Sequence, residues 1–140
     1  MKNKKGFTLI ELLAIIVILA IIAVITVPII LNIIDNAKAG AITNSVHGYK
    51  DAINKYYLST LSTGGVFNNF DGEYTINSDG NIVKDSTEYN IDVSGNKPNG
   101  GTLSIVNKSI VSGCVQIDGY YVTISEGNIG QAQKGDCSGS

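Results

Sequence analysis

The chain has 140 residues, with ten lysines, no arginine and twelve acids, for a formal net charge of −2. That length leaves room for one compact domain and one membrane helix, which argues against a multidomain enzyme. Three of the lysines, Lys2, Lys4 and Lys5, precede the first apolar run; without them seven lysines face twelve acids, a balance of −5, and a surface with no basic footprint offers nucleic acid no electrostatic attraction.

Residues 7–34 read FTLIELLAIIVILAIIAVITVPIILNII. As a helix this block would be about 42 Å long, more than the roughly 30 Å of a bilayer's hydrocarbon core. The lysines ahead of it place the N-terminus in the cytoplasm and the remainder outside. Ala37-Lys38-Ala39 imitates a secretory cleavage site. The apolar run before it, however, is roughly twice the usual length for a signal peptide and contains Pro28, which argues against cleavage there.

Two residues in the block stand out. Glu11 is a lone carboxylate, a placement that costs about 2.5–3.5 kcal/mol at a bilayer centre and less near the helix start, where the headgroups and the helix dipole help. No Lys or Arg lies between residues 7 and 36, so a cationic partner must come from another molecule or from a newly made N-terminal amine. Pro28 removes a backbone donor and crowds the carbonyl four residues back, which predicts a kink or loosening over residues 24–28.

Lys4-Lys5-Gly6 followed by Phe7-Thr8-Leu9-Ile10-Glu11 resembles the prepilin cleavage motif shared by type IV pilins and the pseudopilins of type II secretion. The resemblance implies that a membrane peptidase cleaves between Gly6 and Phe7 on the cytoplasmic side and methylates the new N-terminus at Phe7, leaving the apolar segment in place. It also implies that Glu11 pairs with the N-terminal amine of a neighbouring subunit during filament assembly. Buried, such a pair sets register between apolar helices, as polar groups do in some coiled coils. The matching proline of pilins lies where the helix bends or partly unwinds. This chain has no glycine between residues 7 and 34, a departure that argues against extensive unwinding.

After residue 34 the pattern becomes one-sided. Ala39, Ile42, Val46, Tyr49, Ile53 and Tyr56 recur at spacings of three and four, opposite a face with Lys38, Asn44, Lys50, Asp51 and Lys55, which predicts an amphipathic continuation that stops at Thr63-Gly64-Gly65. From Val66 the signal is β. Residues 73–76 and 81–83 flank a turn at Asp79-Gly80, and Tyr89, Ile91 and Val93 alternate with polar residues. A loop over 94–101 follows, then a meander of residues 102–106, 109–117 and 120–125 with turns at Asn107-Lys108 and Asp118-Gly119. The expected fold is α+β, with a long N-terminal helix packed on a small antiparallel sheet. The expected divisions are a removed leader (1–6), a membrane and assembly helix (7–34), its amphipathic continuation (35–63) and a β head (64–140).

The two cysteines, Cys114 and Cys137, both lie beyond the membrane segment; in an exported head they are expected to form a disulfide, tying the tail onto the sheet. Many pilins close a C-terminal disulfide loop in this way, and the resemblance makes residues 125–136 a candidate contact region. Catalytic chemistry is not in view. His47 sits on the amphipathic helix as a surface or packing residue. Asn77-Ser78-Asp79-Gly80-Asn81 superficially imitates a calcium loop without the spaced glutamate of an EF-hand, and Asn107-Lys108-Ser109 matches a glycosylation sequon that is common by chance. No metal or cofactor is expected.

The reading is a structural subunit of an extracellular type IV pilus. Its expected partners are further copies of itself, the prepilin peptidase, the inner-membrane assembly machinery, and the membrane before assembly. A pseudopilin of a secretion or competence system is the alternative. A membrane-anchored binding module that never polymerises is a third, and an anchor gains nothing from Glu11.

Overall fold

The computed structural model describes residues 6–65 and 69–139. The leader lysines, and Val66 where the β signal begins, lie outside the described residues. Helix α1 covers Leu9–Ser62. The chain divides into two compact units, residues 1–37 and 38–140.

The first unit is the apolar part of α1. The second consists of the amphipathic part of α1 and an eight-stranded, wholly antiparallel sheet. Its strands are β1 (Gly72–Ile76), β2 (Ile82–Lys84), β3 (Thr87–Tyr89), β4 (Gly100–Val106), β5 (Ser109–Ile117), β6 (Tyr120–Ser125), β7 (Asn128–Ile129) and β8 (Gln133–Lys134). The order is β3-β2-β1-β4-β5-β6-β7, with β8 also paired to β6.

The predicted apolar stripe is the packing face: Ile42, Val46, Tyr49 and Ile53 are buried, with Ala39 and Tyr56 partly buried beside them. They meet Tyr74, Ile82, Leu103, Ile105, Val115 and Val122 from the inner face of the sheet. The Tyr49 hydroxyl crosses this core to donate to the Gly80 carbonyl at 2.8 Å, anchoring the helix to the β1–β2 turn. The helix ends on Gly64, whose φ of 79° suits glycine. Gly64 N–H donates to the Leu61 carbonyl and Gly65 N–H to the Thr60 carbonyl, the pairing of a Schellman cap.

The meander falls where its sequence pattern places it, with left-handed residues at both turns, Asn107-Lys108 and Asp118-Gly119. The expected strand through Tyr89, Ile91 and Val93 is corrected. The strand is Thr87–Tyr89, because Asp85 and Ser86, at φ of 52° and 65°, reverse the chain directly after β2. Beyond Tyr89 a side chain replaces the ladder: Asn81 Oδ1 accepts from Ile91 N–H at 3.1 Å. Ile91 is thus buried without being in a strand.

One irregularity decides which residues face outward. Leu103 lies opposite Gly113 and Ile105 opposite Ile110, so two residues on β4 span three on β5. This bulge around Val111 turns Cys114 to the outer face, in a row with Thr102 and Thr123.

Candidate functional site

Gly6, Phe7 and Thr8 lead into α1 without regular structure, and Phe7 is 81% exposed. Thr8 caps the helix: its Oγ1 accepts from Glu11 N–H at 3.2 Å and its carbonyl from Leu12 N–H at 3.1 Å. The Thr8-x-x-Glu11 spacing is the sequence signature of a capping box. It was legible in the chain, and it adds Thr8 to the residues that sequence reasoning singled out. Glu11 is the acid of the first turn, where the positive end of the helix dipole favours it.

Beyond Glu11 the large apolar side chains up to Ile34 are exposed on every side, from 45% at Ile15 to 77% at Val24. The helix is long and apolar enough to cross a membrane. A helix apolar all round needs lipid or other helices around it. Pro28 lies inside α1, and the helical assignment runs through it. Two residues earlier, the Thr26 hydroxyl donates back to the Ile22 carbonyl at 2.8 Å, the i−4 back-bond of a helical threonine; the carbonyl that Pro28 leaves without an N–H is that of Val24.

The family model described as the prokaryotic N-terminal methylation motif matches residues 1–27. The chain carries the type IV prepilin signature. The match takes in Gly6, Phe7 and Glu11 and ends one residue before Pro28. It supports a type IV pilin-like or pseudopilin precursor and implies processing by a prepilin peptidase, and the apolar helix fits a membrane-anchored precursor. No curated protein and no solved structure matches the chain.

The other candidate residues lie in the second unit. Cys114 and Cys137 form a disulfide across a Cα–Cα distance of 5.8 Å. The tail reaches it by a defined path: β8 pairs with Tyr120 and Tyr121, the chain turns at Gly135, and a short 3₁₀ turn sets Cys137 on the outer face, where its N–H donates to Gln116 Oε1. Residues 125–136 are mostly exposed, but they are held rather than loose. Lys50 Nζ donates to the Gly127 carbonyl at 3.1 Å, Ala132 N–H donates to Thr43 Oγ1 at 3.1 Å, and β7 and β8 both pair with β6.

His47 is exposed. In the calcium-like stretch, Asn77 Oδ1 accepts from the N–H groups of Asp79 and Asn81, so this oxygen shapes a turn. Asn77 and Asn81 also donate to Glu88, holding its carboxyl below the usual carboxylate range. Among the described residues no group of three or more His, Cys, Asp or Glu side chains is placed to hold a metal ion. Asn107 and Lys108 form an exposed turn whose N–H groups both donate to the Asp71 carboxylate at 2.8 Å.

Proposed function

We propose that this chain is a structural subunit of an extracellular type IV pilus. In this reading the prepilin peptidase cuts between Gly6 and Phe7, methylates Phe7, and the mature helix packs with copies of itself. One observation carries the reading: a helix apolar on every side bears a single carboxylate, Glu11, one turn from the residue that cleavage would turn into a free amine. An amine and a carboxylate sharing a water-poor helix bundle relieve each other's desolvation, and leaving either unpaired costs several kcal/mol. Exchange of the amine between neighbours sets the axial register of helices that otherwise slide freely. Pro28 then marks where the packed helix bends.

The experiment is Glu11→Ala, read by membrane fractionation, a peptidase-cleavage assay and a count of sheared filaments. Insertion and cleavage stay at wild-type levels while filaments are lost. Wild-type filament numbers would reduce Glu11 to a first-turn helix acid, and failed insertion or cleavage would move its role to processing. Mass spectrometry of the mature terminus finds methylated Phe7; a start at Gly40 would overturn the reading. Immunogold labelling along surface fibres separates the pilus subunit from a pseudopilin.

A further inference from the structure

We propose that the outer face of the sheet carries a saccharide-binding groove. A trough of about 480 Å³ runs across β1, β2, β4 and β5, within the range of about 300–1,000 Å³ typical of small-molecule sites. The strand register assembles it. Val83, Thr75 and Thr102 form one row across three strands, and Glu73, Ser104 and Ser112 form the next. Asp85, the first residue after β2, lines the trough together with Glu73.

These side chains hold nothing of the fold. Glu73, Thr75, Asp85, Thr102, Ser104 and Ser112 make no side-chain hydrogen bond among the described residues, whereas Asp71, Asn77, Asn81 and Glu88 nearby are all engaged. Among the described residues neither the Glu73 nor the Asp85 carboxylate has a cationic partner. Lys84, the cation on the wall, has its ammonium committed to the carbonyls of Asn69 and Asp71 at 2.7 and 2.5 Å.

Two-residue turns of this kind favour glycine in the second place, as in Asp118-Gly119 and Glu126-Gly127; Asp85-Ser86, like Asn107-Lys108, keeps side chains on two left-handed residues. Ser86 also lines the trough.

The lining selects the ligand's chemistry. Two carboxylates repel an anion. A bare divalent cation would use the carboxylates and leave Thr102 and Ser112 idle. A neutral saccharide uses all of them: a carboxylate accepts from adjacent sugar hydroxyls, Ser and Thr hydroxyls both donate and accept, and Val83 offers an apolar contact for the ring's C–H face.

The test titrates the full-length chain, in micelles of a detergent without a sugar headgroup, with maltotetraose, cellotetraose, tetra-N-acetylchitotetraose and lacto-N-tetraose by calorimetry. Calcium chloride and spermine serve as cationic probes. At least one oligosaccharide binds saturably, and its affinity falls at least about tenfold in Glu73→Gln with Asp85→Asn, as expected when charge-assisted hydrogen bonds are lost. Thr75→Val with Thr102→Val, isosteric on strands, gives a similar loss and guards against a folding artefact. Absence of oligosaccharide binding, survival of binding in both double variants, or heat from calcium or spermine alone would overturn the proposal. The titration does not require polymerisation, so its outcome is independent of the filament reading.

Discussion

Removing the Cys114–Cys137 bond by the double change Cys114→Ala with Cys137→Ala, which leaves no free thiol, isolates the staple from cysteine chemistry. The cysteines are 23 residues apart. For a loop of that size the chain-entropy relation gives about 11–12 cal/mol/K, or roughly 3 kcal/mol at 25 °C, lost when the unfolded chain is no longer closed. The contacts that lead the tail to the sheet, β8 on β6 and the grip of Lys50 and Thr43 on residues 127 and 132, survive the change. The loss is therefore that of the loop constraint and not of the whole tail. On a unit of this size, about 3 kcal/mol corresponds to a fall in Tm of roughly 10–20 °C. All seven tyrosines lie in the second unit, so near-ultraviolet circular dichroism of the full-length chain in micelles follows the head without interference from the apolar helix. A fall in Tm under about 3 °C would refute the loop-entropy account and assign the tail's order to its pairing with β6.

Gly113→Ala destabilises the head by about 3 kcal/mol or prevents folding, because a Cβ there meets the Thr102 carbonyl oxygen at 2.3 Å with φ at 148°; urea unfolding followed by the same tyrosine signal measures it. Base weakens the head through Tyr74, pushed up to about 12 by burial and then by Tyr89, Asp71 and Asp85, and through Tyr49, raised by burial alone. Their stabilisation is complete below about pH 10, where an unfolded tyrosine is still neutral, and is lost as pH climbs toward 12. Ionisation of Tyr49 and Tyr74 and loss of the tertiary signal then occur together, and ionisation of these two near pH 10 in an intact head would count against the burial argument. Acid acts through Glu88, whose lowered value stabilises the β1–β3 region above about pH 4.3 and ceases to do so as pH falls through it. The protection factor of the Ile91 amide, taken relative to intrinsic exchange at each pH, falls first in that range, and an unchanged factor would contradict it.

The long elements were legible because each has one dominant physical demand. An apolar run with a basic leader and a lone acid is a membrane problem wherever it occurs, and a stripe at spacings of three and four has one way to hide. The two-residue turns of the meander were legible from Asn107-Lys108 and Asp118-Gly119 because strand twist requires left-handed residues there. The short elements were not. β7 and β8 have two residues each, too few for any alternation to show, and they exist because the exposed edge of β6 offers them partners. The Ile91 region reads as a strand by alternation but loses its ladder to the Asn81 side chain, a competition between distant residues that local pattern does not contain.

The sequence by itself determined the prepilin motif, the span of the apolar helix, the buried stripe of its continuation, the order of the meander and the expectation that two exported cysteines pair. Each follows from local periodicity or from residue chemistry at short range. Only the tertiary structure decided which face each strand residue takes. Strict alternation along β5 sets Ile110, Ser112, Cys114 and Gln116 on one face, whereas the bulge at Val111 buries Ile110 inside and turns Cys114 outward to meet Cys137. The same registry across β1, β2, β4 and β5 gathers Glu73, Thr75, Thr102, Ser104 and Ser112 into one groove. The reason is geometric: a strand's period of two names two faces without saying which is inside, and one inserted residue exchanges them.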